Sequence, residues 1–204
     1  MEYSSSKHLV SYCGQLIETT VTNNAYVVDH WIGTFLRNPK NGERIIIVGL
    51  DCKFKRHSIP SLSNKIATLQ LCIDTKCLVL QLVHMDSMPH SLTNLLDDKR
   101  VTFFGVRVDA YALNLSRDYG LKFCKKIVDI RDLAKIWFPI SYLKECSLKA
   151  IAYEVAGLST RRRKKKCGLD WEAQVLDVEL TEYASVDAYA LYKIAHTMFC
   201  DNFA

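Results

Sequence analysis

Residues that interrupt or loosen a chain are scarce here. Glycine occurs 8 times and proline 4 times in 204 residues, which excludes a collagen-like repeat and a long flexible linker. Long apolar runs are also missing. The longest, Ile45–Leu50, falls far short of the roughly 20 residues that a membrane span needs, so no membrane is expected as a partner. Met1–His8 is polar and lacks the apolar core of a signal peptide. None of the 8 cysteines forms a C-x-x-C pair, and no histidine stands at zinc-finger spacing from them. They read as reduced core or surface thiols, which places the protein in the nucleus and/or cytoplasm. The charge excess is only +5 and by itself says little about partners.

What is present fits a globular chain. Hydrophobic residues make up 49% and charged residues 24%, which excludes a wholly disordered chain. No internal repeat or clear domain boundary is visible, and the length suits one domain. Lys7–Cys13 and Gln15–Thr22 read as two short strands around Gly14. Asn23 or Asn24 then caps a helix carrying Val27, Val28, Trp31, Ile32 and Phe35 at helical spacing, with a stop near Asn38-Pro39 and a turn at Asn41-Gly42.

The apolar β-branched run Ile45–Leu50 predicts a central strand covered on both faces. Ile66–Ile73 and Cys77–Val83 read as strands joined through Asp74-Thr75-Lys76. Helices are expected over Ser91–Asp97, Ala110–Tyr119, Arg131–Trp137, Ser147–Ala156 and Thr181–Met198, and strands over Val101–Val106 and Ile127–Ile130. This order predicts an α/β fold: a mixed sheet with helices on both faces.

Two carboxylates stand in unusual places. Asp51 ends the most apolar strand, and Gly49, Asp51 and Lys53 share one of its faces. Asp187 falls on the stripe Tyr183, Asp187, Ala190, Leu191, Ile194 and Met198 of the last helix, otherwise apolar apart from Tyr183. Each has a plain structural explanation. Asp51 could be solvated or paired with Lys53, and Asp187 could bond a tyrosine hydroxyl or a backbone amide. A buried carboxylate without such a partner, or a metal, is costly.

Taken in order, IIIVGLDCKF, ATLQLC, FFGVRVDAYAL, SLKAIA, DW and YASVDAYALY resemble a 3′–5′ exonuclease domain. The type is that of the Werner-syndrome exonuclease and ribonuclease D, the DEDDy group of the ribonuclease H-like (DnaQ-like) superfamily. Small single-domain plant members are most similar. The resemblance covers roughly residues 45–199, and TTVTNNAYVVDHWI carries it more weakly upstream. It implies a five-stranded mixed sheet with helices on both faces, and a division into a hairpin and helix over 1–44 packed on an exonuclease domain over 45–204. It also implies two-metal hydrolysis of the 3′-terminal phosphodiester of DNA or RNA, with Mg²⁺ or Mn²⁺ held by four carboxylates and a tyrosine positioning the water.

Carried over residue by residue, the pattern is incomplete. Asp51 and Asp187 match two metal ligands, and Tyr183 matches the catalytic tyrosine. Lys53 stands where the first motif has glutamate, and Tyr111 stands where the second has aspartate. The complete site carries −4, whereas this one carries −1. A fixed ammonium about 4 Å from a metal would repel it by several kcal/mol. Asp109, two residues from the second motif, is a candidate replacement ligand and also an ordinary helix N-cap. Other rescues are an acid from a neighbouring subunit, or slow hydrolysis through one metal on Asp51 and Asp187. Weak or absent catalysis is therefore expected. The alternative function is a pseudo-exonuclease that binds nucleic acid or a related active subunit, as a homo- or hetero-oligomer.

Arg161, Arg162, Arg163, Lys164, Lys165 and Lys166 form one basic block. Phosphate binding, a nuclear address and a solvated loop all suit it. His57, His84 and His90 show no partner in the sequence. Trp31, Trp137 and Trp171 read as core or rim packing rather than base-stacking platforms.

Overall fold

The structure, a computed structural model, describes residues 4–36, 45–55, 64–123, 127–137, 147–159 and 169–199. Strands β1 (Ser5–Tyr12) and β2 (Gln15–Thr22) form a hairpin, and α1 (Ala25–Leu36) follows. Then come β3 (Ile46–Phe54), β4 (Ile66–Ile73), β5 (Lys76–Leu80), a single 3₁₀ turn at Leu82–His84, α2 (His90–Asp97), β6 (Val101–Gly105), α3 (Val108–Tyr119), β7 (Ile127–Asp129), α4 (Ile130–Trp137), α5 (Leu148–Ala156) and α6 (Val178–Phe199). The strands make one mixed sheet in the order β1-β2-β5-β4-β3-β6-β7.

The expected five strands are the β5-β4-β3-β6-β7 part of this sheet, but among the described residues the sheet has seven strands. The reason is the N-terminal hairpin. β2 pairs parallel to the otherwise free edge of β5, from Glu18 opposite Lys76 to Thr22 opposite Leu80, and β1 continues outward antiparallel to β2. The turn at Asp74-Thr75 has two residues rather than three, with Ile73 opposite Lys76 and Asp74 at φ 55°.

The alternation of side chains on the strands sorts the core into layers. One face of the sheet buries Val48, Leu50, Leu69, Leu71, Leu78 and Leu80 in the same cluster as Trp31, Ile32, Leu92, Leu95 and Leu115 from α1, α2 and α3. On the other, Ile17, Ile47, Cys72, Cys77 and Phe104 share a cluster with Ile151 of α5 and Ala188, Leu191 and Ile194 of α6. Helix ends carry the expected signals. Asn24 Oδ1 accepts from the Tyr26 amide at 2.9 Å, Ser147 Oγ accepts from the Ala150 amide at 3.2 Å, and Gly120 and Gly157 close α3 and α5 in the left-handed conformation. Among the described residues no helix is long and apolar enough to cross a membrane.

Two differences from the sequence expectations bear on the site. β3 does not end at Asp51. Antiparallel pairing of Asp51 with Gln70 and of Lys53 with Thr68 carries the strand to Phe54, with a register shift between Lys53 and Phe54. Helix α3 starts at Val108 rather than Ala110, and Arg107, in the left-handed region, stands at its N-cap. The basic block 161–166, His57 and the Asn41-Gly42 turn lie outside the described residues.

Candidate active site

Close packing of α6 on β3 builds the site. A Cβ on Gly49 would lie 2.2 Å from the Ala188 carbonyl oxygen and 2.6 Å from the Tyr192 amide of α6. Only glycine permits this approach. It brings one face of α6 down onto Asp51 and Lys53, which share the Gly49 side of β3.

There, Lys53 joins the two carboxylates. Its Nζ is 2.6 Å from Asp51 Oδ2 and 2.5 Å from Asp187 Oδ2. The Asp187 contact is a hydrogen bond donated by Lys53. The Asp51 contact is an ion pair outside hydrogen-bonding geometry. The Tyr111 hydroxyl donates to the other Asp51 oxygen, Oδ1, at 2.9 Å, and the Tyr183 hydroxyl bonds Asp187. Aromatic rings complete the enclosure. Lys53 Nζ lies 4.0 Å from the centroid of the Tyr183 ring and 5.8 Å from that of Trp171, within cation–π range.

Burial makes these contacts consequential. The side chains of Lys53, Asp51 and Asp187 are 11%, 10% and 18% exposed. Burial alone would discharge Lys53, but Asp51 and Asp187 outweigh it and hold the ammonium above the ordinary lysine range. Burial also raises Asp187, Lys53 opposes, and the Asp51 charge adds to the rise. Tyr111 is pushed up by burial and then by Asp51, so it stays a phenol and a donor.

The structure brings Asp51, Lys53, Tyr111, Tyr183 and Asp187 together. Asp109 is instead an exposed residue of the first turn of α3, neither its N-cap nor among the groups that contact Asp51. Tyr111 lies one turn along a helix whose start is fixed by the Asp129 carboxylate accepting from the Arg107 amide at 2.8 Å. His84 has a partner, the Glu172 carbonyl, at 2.7 Å. Trp31 and Trp171 are buried, whereas Trp137 is exposed.

Other contributors were missed from sequence. Thr68 and Gln70 are fully buried, sit opposite Lys53 and Asp51 on β4, and bond each other through Gln70 Nε2 and Thr68 Oγ1 at 2.6 Å. Their signal is present: two polar residues at a spacing of two inside the apolar run ATLQLC. The role of Trp171 had no such signal, since only the tertiary fold brings its ring to Lys53.

The arrangement does not suit a pair of divalent ions. No group of three or more His, Cys, Asp or Glu side chains placed to hold a metal occurs among the described residues. A buried ammonium already spans Asp51 and Asp187.

The sequence model of the 3′–5′ exonuclease family matches residues 33–199. A 3′–5′ exonuclease of Arabidopsis thaliana is 30% identical over 158 residues, covering 74% of this chain and 52% of that protein. The bifunctional 3′–5′ exonuclease/ATP-dependent helicase WRN of Mus musculus is 26% identical over 145 residues, covering 71% of this chain and 10% of that protein. The chain thus spans about half the length, or less, of these curated relatives. Among solved structures, the catalytic core of RRP6 from Trypanosoma brucei superposes with a TM-score of 0.71 at 12% identity, covering 97% of this chain and 51% of that one. Escherichia coli RNase D gives 0.68 at 18% identity, covering 87% and 44%. Brucella melitensis NrnC, solved with bound Mg²⁺ and with pGG, gives 0.61 at 19% identity, covering 78% and 74%. The structures share the ribonuclease H-like fold, and with the match over residues 33–199 the chain belongs to the 3′–5′ exonuclease family.

Proposed function

We propose that this chain is a nucleic-acid-binding member of its family in which hydrolysis of 3′-terminal phosphodiesters is weak or absent. One observation carries the reading: Lys53 Nζ lies within 2.6 Å of both Asp51 and Asp187. In the family's chemistry, Asp51 and Asp187 would be metal ligands and Tyr183 would orient the attacking water. Here the two acids are held by a tethered cation. Displacing it would strand an ammonium among buried groups, and a metal would then keep only two protein carboxylates. Tyr111 reinforces this by donating to the remaining Asp51 oxygen.

Nucleic acid is the proposed ligand, DNA or RNA, as pGG is for NrnC. The basic block 161–166 would supply phosphate contacts, so affinity for an oligonucleotide should fall steeply with salt.

The test is a calorimetric Mn²⁺ titration beside an assay of mononucleotide release from a labelled 3′ end. Wild type is expected to show no metal binding up to millimolar Mn²⁺ and little or no release. Metal binding that disappears in Asp51→Ala, with release that disappears in Asp187→Ala, would overturn the proposal and make the chain an active exonuclease. Lys53→Glu combined with Tyr111→Asp is expected to restore Mn²⁺ binding. No gain would mean that Tyr111 is not the replaced ligand.

A further inference from the structure

The N-terminal hairpin lies outside the family match, which starts at residue 33, and it forms one edge of the sheet. The opposite edge, β7, is only three residues long and continues directly into α4. β1 is eight residues long, contains no proline, and has no strand on its outer side among the described residues. Such an edge presents unpaired amides and carbonyls that can template another strand.

The backbone fixes which groups face outward. Cys13 and Gly14, at φ 47° and 78°, form the two-residue turn between Tyr12 and Gln15. Asn23 donates its amide to the Ser4 carbonyl, in the same register as the β1–β2 ladder. Even-numbered residues of β1 therefore bond toward β2, because the ladder alternates. The amides and carbonyls of Ser5, Lys7, Leu9 and Ser11 point away from the sheet.

The side chains along this edge carry a second feature. Leu9 is 70% exposed and Leu16 is 61% exposed. Leu9 pairs with Glu18 and Ser11 pairs with Leu16, so the two leucines are diagonal neighbours on one face of the hairpin. They make an apolar spot on the free edge.

We propose that β1 is a homodimer interface, in which two copies pair their β1 strands antiparallel about a two-fold axis at Leu9. This register opposes Leu9 to Leu9 of the other copy as a hydrogen-bonded pair, and Lys7 to Ser11. The outward backbone groups match and no charged residue faces its own kind. Centring the axis on Lys7 would oppose two lysines directly. Centring it on His8 would press two imidazoles together as the closer, non-hydrogen-bonded pair and set Leu9 against Lys7. The Leu9 register sets the two exposed Leu9 side chains against each other, and it makes one sheet continuous through both copies. It leaves the Lys53 cluster untouched, so it stands apart from the proposed function.

Sedimentation velocity on the full chain tests it. Wild type should sediment as a dimer at high micromolar concentration. Leu9→Lys opposes two ammonium groups at the axis and should weaken the dimer at least about tenfold, with an unchanged circular-dichroism spectrum because Leu9 is exposed. Leu113→Lys, at an equally exposed site on α3, should leave the dimer intact. Ser11→Asp should tighten it by facing Lys7 of the other copy. A monomeric wild type at high micromolar concentration overturns the proposal. So does a dimer indifferent to Leu9→Lys, or one dissociated equally by Leu113→Lys. Weakening by Ser11→Asp overturns the Leu9 register.

Discussion

Lys53 and Lys55 stand two residues apart, and each holds a carboxylate at 2.5 Å. Lys53 is sealed between β3 and α6 with two acids and two aromatic rings around it. Lys55 reaches Glu172 at the rim, where the two side chains are 36% and 32% exposed. Equal distances therefore conceal different energetics. At the rim, water and salt screen the pair, and such pairs contribute about 0–1 kcal/mol. In the interior, three charges have lost their hydration, and each depends on the others.

The largest expected effect breaks the interior cluster. Lys53→Met leaves Asp51 and Asp187 facing each other without a cation and should lower unfolding free energy by about 3–5 kcal/mol in urea titration. Adding Asp51→Asn and Asp187→Asn should recover most of that loss, since neutral groups need no counter-charge. A triple variant as unstable as Lys53→Met would mean that shape rather than charge holds the cluster.

Next comes Tyr111→Phe, which removes the donor to Asp51 Oδ1 and should cost about 1–3 kcal/mol. A neutral result would mean that water replaces the hydroxyl and that the site is wetter than its burial suggests.

Asp129 supplies an intermediate case. Burial disfavours its charge, but the Arg131 guanidinium and the amides of Arg131 and Arg107 outweigh it and hold its carboxyl below the usual range. A lowered acid stabilises the fold above the ordinary carboxylate pKa, and that contribution is lost as pH falls through the lower native value. Wild type should therefore exceed Asp129→Asn by about 1–2 kcal/mol at neutral pH, and the gap should shrink below about pH 4. A gap constant down to pH 2 would assign it to packing. The smallest effect is Lys55→Met, expected to stay within about 1 kcal/mol and to vanish in molar salt. A larger, salt-resistant loss would erase the contrast between the two lysines.

Much of this was legible in the sequence because it is local. The strand Ile66–Ile73, the cap at Asn24 and the helix ends at Tyr119 and Ala156 depend on neighbours in the chain. The residues that meet in the cluster, Asp51, Lys53, Tyr111, Tyr183 and Asp187, could be singled out in the sequence through the family resemblance. The extent of β3 could not, because Asp51 and Lys53 are poor strand formers until β4 pairs with them. The start of α3 was misplaced for a similar reason. Arg107 in a left-handed conformation is an unpromising N-cap, and the Asp129 carboxylate that bonds its amide comes from another strand.

The sequence by itself determined which charges stand in the site and that their sum is −1. Only the tertiary structure decided where the one positive charge goes. Gly49 lets α6 approach β3 closely enough for Lys53 to reach Asp51 and Asp187 together, and burial then makes that bridge the state in which all three charges are compensated.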